Sequence, residues 1–474
     1  MGIYVNGWIM FDINHFLACH KALLIAPAGY GKTHFIADTI KHCNGKILIL
    51  THTHAGVASL RQKLNKAQVP TDQYNLETIS SFAQKYVHSY IKPDQIPALE
   101  EQNVYFKFIV QHAVHIFEKP IIQDMITRTY SGVFVDEYQD CTKSQHAMIL
   151  SITRNITLRV LGDPLQGIFD FNQKEDPLVD FDEDLNGFEK FYLTTPWRWC
   201  ETNPLLGNDL KYIRDCLETN ATIDWSRIST INVTIANPGN LQQERSKYIY
   251  RVLNKVKEEN LLIISEHSSA RGVRLALVKQ MGGLFQLVEA IDGKEFYSNA
   301  KILDSLNRGN FYSVFRDLCI DLFTKTAVNN WLGENRIKNK RNEVDKKKLL
   351  PLVTIFETAD DHNLYLKMHD AIDLFRNFPQ IRVIQHEQLY NLMSALQLAS
   401  NDKVLPSQAM IQLRNFYRSK GRNIPHRAIG TTLLTKGLEF DNVIVLNPEA
   451  MDEKHFYVAI TRACKRLFIY QEEN

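Results

Sequence analysis

Short unbroken apolar runs alternate along the chain with stretches in which apolar residues recur every three or four positions. Residues 22–26, 47–50, 132–135 and 158–161 are runs of the first kind and read as strands buried on both faces. Residues 33–42 and 55–67 carry the helical spacing. Strands alternating with helices predict an α/β fold built on a parallel, doubly wound sheet. A second set of runs, at 261–264, 427–431, 443–446 and 466–470, predicts a second α/β lobe. Helical periodicity over 296–416 marks an insertion within that lobe. The resulting division is a first lobe over 1–195, with a short insertion at about 83–130, and a second lobe over 196–295 and 417–474. The proline-bounded stretch 196–204 reads as the linker between them.

Each strand of the first set runs into a polar cluster. The first is followed by Pro27-Ala28-Gly29, the second by Thr51-His52-Thr53-His54, the third by Asp136-Glu137 and the fourth by Gly162-Asp163. Open α/β sheets bind ligands at the carboxyl ends of their strands, so four such clusters point to one site.

The first cluster is the most specific. Ala26-Pro27-Ala28-Gly29-Tyr30-Gly31-Lys32-Thr33 lies between a strand and a helix. Glycines there let backbone N–H groups turn around phosphate oxygens. Lys32 is placed to reach the terminal phosphates of ATP, and the Thr33 hydroxyl to ligate Mg²⁺. Ala26 stands where the general pattern has its first glycine. Asp136 suits the same Mg²⁺, and Glu137 suits the base that polarises an attacking water. The pairing points to hydrolysis rather than binding alone.

Composition adds mostly exclusions. The 474 residues carry a net charge of +2, so no global field draws the chain to nucleic acid and any such site is a local groove. The seven cysteines form no Cys-x-x-Cys pair, which argues against a zinc framework and for free thiols in a reducing, cytoplasmic setting. The first twenty residues lack a basic start, and no apolar run is long enough to span a membrane. Residues 336–348 hold seven basic and two acidic side chains, either a solvated face or a contact to a nucleic-acid backbone. The acidic stretch 176–184 reads as a solvated loop.

Beyond this point the motifs form a recognisable series. Asp136-Glu137-Tyr138-Gln139-Asp140 and Gly162-Asp163-Pro164-Leu165-Gln166-Gly167-Ile168-Phe169 resemble the UvrD/Rep branch of superfamily 1 helicases. Residues 193–199, Lys436-Gly437-Leu438-Glu439-Phe440-Asp441, and Tyr457-Val458-Ala459-Ile460-Thr461-Arg462-Ala463 resemble three further motifs, in the family's order. The resemblance implies two RecA-like lobes and a motor moving 3′ to 5′ on single-stranded DNA. It makes Gln166 a sensor of the γ-phosphate, and Arg198 and Arg462 arginine fingers supplied by the second lobe as the cleft closes. Trp197 would stack on the base and Glu439 would hold the ribose. Thr51, His54 and Ser80 would bond DNA phosphates, and Phe169 and Phe171 would stack on unpaired bases. A core role for Trp197 or the two phenylalanines stays open.

Three positions depart from the family pattern. No glutamine precedes Gln62, although the adenine-reading glutamine belongs near Phe11. His52 replaces a phenylalanine, and Leu433 replaces a histidine. The insertions are short and the last strand closes the sequence, so no appended nuclease domain is expected. Two functions follow. One is a DNA-dependent ATPase that translocates or unwinds. The other is a nucleotide- and DNA-sensing subunit that regulates a partner nuclease, as in antiviral operons such as Gabija.

Overall fold

A computed structural model describes residues 4–5, 8–9, 12–97, 102–169, 175–236, 241–266, 271–288, 294–420 and 425–472. The chain divides into two compact units, Met1–Ile231 with Met451–Arg466, and Asn232–Ala450 with Leu467–Asn474.

The first unit is built on six parallel strands: β1 (Lys21–Ile25), β2 (Ile47–Thr51), β3 (Tyr74–Thr78), β4 (Gly132–Val135), β5 (Thr157–Gly162) and β6 (Glu189–Tyr192). Their order across the sheet is β3-β2-β4-β5-β1-β6. Leu23, Leu48, Val133 and Val160 point to one face, into a core shared with helices Ile79–Tyr90, Gln102–Phe117 and Lys143–Ile152. The alternate residues Leu24, Ile49, Phe134 and Leu161 are equally buried, so both faces are covered. On that second side Phe16 meets Phe35, Phe134 and Phe191 edge-on, at centroid distances of 5.4, 6.4 and 5.1 Å. Burial on both faces is why the central strands read as unbroken apolar runs.

The second unit repeats the plan. Its strands are β7 (Asn232–Ala236), β8 (Leu261–Ser265), β9 (Gln286–Leu287), β10 (Arg427–Thr431), β11 (Phe440–Leu446) and, from Leu467 on, β12 (Ala463–Glu472). They run parallel in the order β9-β10-β8-β11-β12-β7. The architecture is that of two α/β lobes, each built on an all-parallel six-stranded sheet. Between β9 and β10, seven helices run among the described residues, from Lys294–Leu303 to Pro406–Lys420. They bury a core of their own, in which Phe315 and Phe375 lie 5.6 Å apart edge-on and Phe315 also meets Phe356 at 5.2 Å.

One part of the sequence division differs from the structure. The stretch 196–204, expected as a linker, belongs to the first unit, which continues to Ile231 and takes in Met451–Arg466. The reason is burial: Trp199 is 1% exposed and its indole donates to the Ala463 carbonyl at 2.7 Å. Asn203 then caps helix Pro204–Glu218 and donates to the Lys465 carbonyl at 2.8 Å. The prolines suggested a linker, but the tryptophan between them anchors the stretch in the first unit.

All seven cysteines are free, and no helix among the described residues is long and apolar enough to cross a membrane.

Phe315→Ala should cost the inserted core about 3–5 kcal/mol through transfer and cavity terms. Hydrogen exchange should show protection lost across Phe311–Leu322 and Leu364–Phe375 and retained in β1, β4 and β5.

Candidate active site

The site begins where β1 ends. The Ala26 amide donates to the Gly162 carbonyl at 2.9 Å, prolonging the β1–β5 ladder by one step. The chain then turns, with the Tyr30 amide donating to the Pro27 carbonyl at 3.1 Å, and enters helix Lys32–Ile40. Gly29 and Gly31 have φ of +77° and +84°, which favours glycine. Space requires it too: a Cβ at Gly29 would lie 2.7 Å from the Trp199 ring, and one at Gly31 3.1 Å from the Trp197 ring. Ala26, Pro27, Ala28 and Tyr30 are buried, so the loop is a fixed cradle rather than a mobile lid. Its helix starts at Gly31 with no side-chain cap, leaving a positive helix end to face an anion.

Lys32 reaches the carboxyl end of β4. Its Nζ lies 3.1 Å from Asp136 Oδ1 and 2.8 Å from Glu137 Oε1. These distances make two ion pairs, which hold the buried ammonium at the strand end where phosphate oxygens could share it. Burial works against the charge on Lys32, but the Asp136 and Glu137 carboxylates more than offset it and raise its pKa. Burial also raises the Asp136 pKa, opposed by Lys32. Thr33 follows Lys32 in the first helical turn, half-buried. A buried carboxylate with a nearby hydroxyl is an oxygen donor set that suits Mg²⁺, which keeps several waters and few protein ligands.

Glu137 sits in the left-handed region at φ +56°, a conformation that costs a non-glycine residue about 1–3 kcal/mol. Its amide donates to Asp136 Oδ1 at 2.9 Å, and its carboxylate accepts from Gln139 Nε2. Gln139 Oε1 in turn accepts from the Asp163 amide at 3.0 Å, tying the end of β4 to the end of β5. Asp163 is fully buried and accepts from Gln166 Nε2 at 2.8 Å and from the Ala28 amide at 3.2 Å. Arg198 and Arg462 meet at one residue: Arg198 donates to the Thr461 carbonyl, and Arg462 Nη2 to Thr461 Oγ1 at 3.1 Å. Arg462 Nε also donates to the Val458 carbonyl at 2.9 Å. The Arg198 amide donates to the Gly29 carbonyl at 2.9 Å, which joins this arginine to the loop. Both arginines lie in the first unit, where the family resemblance had them arrive from the second lobe.

This arrangement coincides with a family signature. The model of the UvrD/REP helicase N-terminal domain matches residues 13–104 and 97–183, which hold the phosphate loop, Asp136-Glu137 and Gln166. Over those residues the chain is similar to a helicase N-terminal domain. The chain is also 23% identical over 385 residues to the Gabija protein GajB of Bacillus cereus (strain VD045), covering 77% of this chain and 68% of that protein. Among solved structures it is similar to arterivirus nonstructural protein 10, a helicase, with DNA and alone. Each comparison has a TM-score of 0.36 and 11% identity, and covers 95% of this chain. This chain spans about 60% of the length of those viral chains.

The remaining residues of the helicase series are spread along the same sheet edge and beyond it. Thr51 ends β2 and is buried, while His54 is exposed in the first turn of helix His54–Lys66. Ser80 is half-buried one residue into helix Ile79–Tyr90, whose N-terminus Thr78 caps. Phe169 is half-buried, and Phe171 and Phe11 lie outside the described residues. Glu439 is exposed in the second unit, immediately before β11, and Leu433 is half-buried after β10. His52 Nε2 lies 3.2 Å from Cys141 Sγ.

The two charged segments resolve differently. In 336–348, Lys340 sits 4.3 Å from the Trp331 ring centroid and donates to the Asn330 carbonyl, and Lys346 pairs with Glu343. In the acidic stretch, Asp180 accepts from the Asp182 and Glu183 amides, which hold its carboxyl below the usual range. Asp176 accepts from the Ser144 amide at 3.0 Å. The stretch is not the wholly solvated loop expected: the Lys143 amide donates to the Pro177 carbonyl and the Val179 amide to the Cys141 carbonyl, and Val179 and Phe181 are buried in the core.

Sequence reading missed four polar residues of the site: Gln139, the hub role of Asp163, Arg214 and Tyr457. One signal was available. Leu206, Leu210 and Arg214 follow at i, i+4 spacing, so a charge stands on an otherwise apolar helix stripe.

Lys32→Met leaves Asp136 and Glu137 beside each other without their cation and removes the charge that phosphates would share. Titration with a fluorescent ATP analogue should show affinity weakened by at least about thirtyfold.

Proposed function

We propose that the chain couples ATP hydrolysis to 3′-to-5′ movement on single-stranded DNA. The observation that carries this reading is the Lys32 ammonium held between Asp136 and Glu137, inside a matched helicase domain. ATP with Mg²⁺ supplies the phosphoanhydride to be split and part of the charge neutralisation. Lys32 and the N-terminus of helix Lys32–Ile40 bind the phosphates, and Thr33 and Asp136 hold the ion. A Glu137 carboxylate oxygen takes the proton of the attacking water. Gln166 reports the terminal phosphate, and Arg198 and Arg462 stabilise charge as it develops. Trp197 stacks on the base and Glu439 holds the ribose. Thr51, His54 and Ser80 bond the DNA backbone, and Phe169 and Phe171 stack on bases.

The similarity to a Gabija protein favours a second reading. In it the same ATPase is a subunit whose nucleotide and DNA binding governs a partner nuclease in antiviral defence, and travel along DNA is secondary.

In steady-state assays, single-stranded DNA should raise the ATPase rate severalfold at low salt, and half-molar salt should remove the stimulation by screening phosphate contacts. Equal rates with and without DNA at low salt would argue against a DNA-driven motor. Separately, Glu137→Gln should bind the fluorescent analogue as wild type does while kcat falls about 10²–10⁴-fold. Full turnover in that variant would remove Glu137 from the role of base.

A further inference from the structure

Helix Pro204–Glu218 buries Leu206, Leu210 and Ile213, and Arg214 continues that stripe at 4% exposure. A guanidinium at such a position is tolerated only when paired and hydrogen-bonded. Its partners belong to the ATP site. Arg214 Nη1 lies 2.8 Å from Asp163 Oδ1 and 2.9 Å from Oδ2, and donates to the Tyr457 hydroxyl at 2.8 Å. The guanidinium also lies 5.1 Å from the Tyr457 ring centroid, and Nη2 is 2.7 Å from Glu218 Oε1.

The two groups that Arg214 holds converge on one atom of the phosphate loop. The Ala28 amide donates both to Asp163 Oδ2, at 3.2 Å, and to the Tyr457 hydroxyl, at 3.3 Å. Asp163 is also where the Gln166 side-chain amide is anchored. Tyr457 lies on helix Glu453–Ile460, directly before the Thr461-Arg462 pair. One guanidinium thus touches the supports of the loop turn, of Gln166 and of the segment that carries Arg462. It makes no contact with Lys32, whose partners are Asp136 and Glu137.

We propose that Arg214 is a positioning residue for ATP hydrolysis: by fixing Asp163 and Tyr457 it sets the Ala28 turn and the Gln166 amide, and turnover depends on it more than nucleotide binding does. The proposal rests on the ATPase reading above. It separates positioning from stability, because a pair that only holds the fold together would change melting and leave the split between kcat and KM alone.

Three full-length variants test it. Arg214→Lys keeps the charge and loses the planar two-pronged donor. Tyr457→Phe removes one hydroxyl and keeps the ring. The double variant Arg214→Met with Asp163→Asn removes both charges together. ATPase kinetics with saturating single-stranded DNA, affinity for a non-hydrolysable ATP analogue and thermal melting are measured for each. We expect kcat to fall at least tenfold in Arg214→Lys and in the double variant, and at least threefold in Tyr457→Phe. KM and analogue affinity should move less than threefold. Wild-type kcat in a folded Arg214→Lys or in Tyr457→Phe overturns the proposal, as does a loss of affinity that accounts for the loss of rate. If Arg214→Lys does not fold, Tyr457→Phe decides the matter. Absence of turnover in the wild-type chain overturns the ATPase reading and this proposal together, whereas an active wild type with unaffected variants overturns this proposal alone.

Discussion

The site depends on one ammonium held between two carboxylates. Asp136 and Glu137 are consecutive residues at the end of β4, and their charges repel unless a cation stands close to both. The cation comes from Lys32, on the helix that follows β1. In the sheet β5 separates β1 from β4, so the phosphate loop has to pass over the end of β5 for Lys32 to arrive. That route explains why Asp163, just beyond β5, lies under the loop and accepts from its Ala28 amide. The strand order and the charge cluster are therefore one constraint seen at two scales.

Burial then decides how the polar groups are arranged. Lys32, Asp136, Asp163, Arg214 and Tyr457 are all withdrawn from water, where an unpaired charge is costly. The structure answers with acceptors shared among several donors. Asp163 serves Ala28, Gln166 and Arg214, and Thr461 serves Arg198 and Arg462. Shared acceptors make the site cooperative, since moving one donor changes the field felt by the others. The left-handed backbone at Glu137 fits this picture, because the bonds from its amide to Asp136 and from Gln139 to its carboxylate hold it there.

The legible and illegible parts of the sequence divide along physical lines. Central strands such as β1, β2, β4, β5 and β8 are buried on both faces and announce themselves as apolar runs. The strands that patterning did not disclose, β3, β6, β7 and β9, are the four edges of the two sheets. Edge strands are half-solvated: β3 alternates buried and half-buried residues, and in β6 only Phe191 is buried. Lys32, Asp136 and Glu137 were legible because each follows or precedes a strand at close range. Arg214 and Tyr457 were not, because their partner Asp163 lies far away in sequence and only folding brings them together. Trp199 failed in the opposite sense, as a buried anchor in a stretch whose prolines suggested a linker.

The inserted helices with their private core have a kinetic consequence. β9 and β10 are neighbours in the second sheet, yet the chain between Leu287 and Arg427 must be accommodated before they can pair. Closing a long flexible loop is slow and entropically costly. An insertion that first collapses on its own core shortens the effective loop and brings the strand ends near each other. β7 faces a longer wait, because its partner β12 is the last strand of the two six-stranded sheets to be synthesised. Until then β7 presents an unpaired edge. The second sheet is thus completed late, after the strands of the first sheet have all been made.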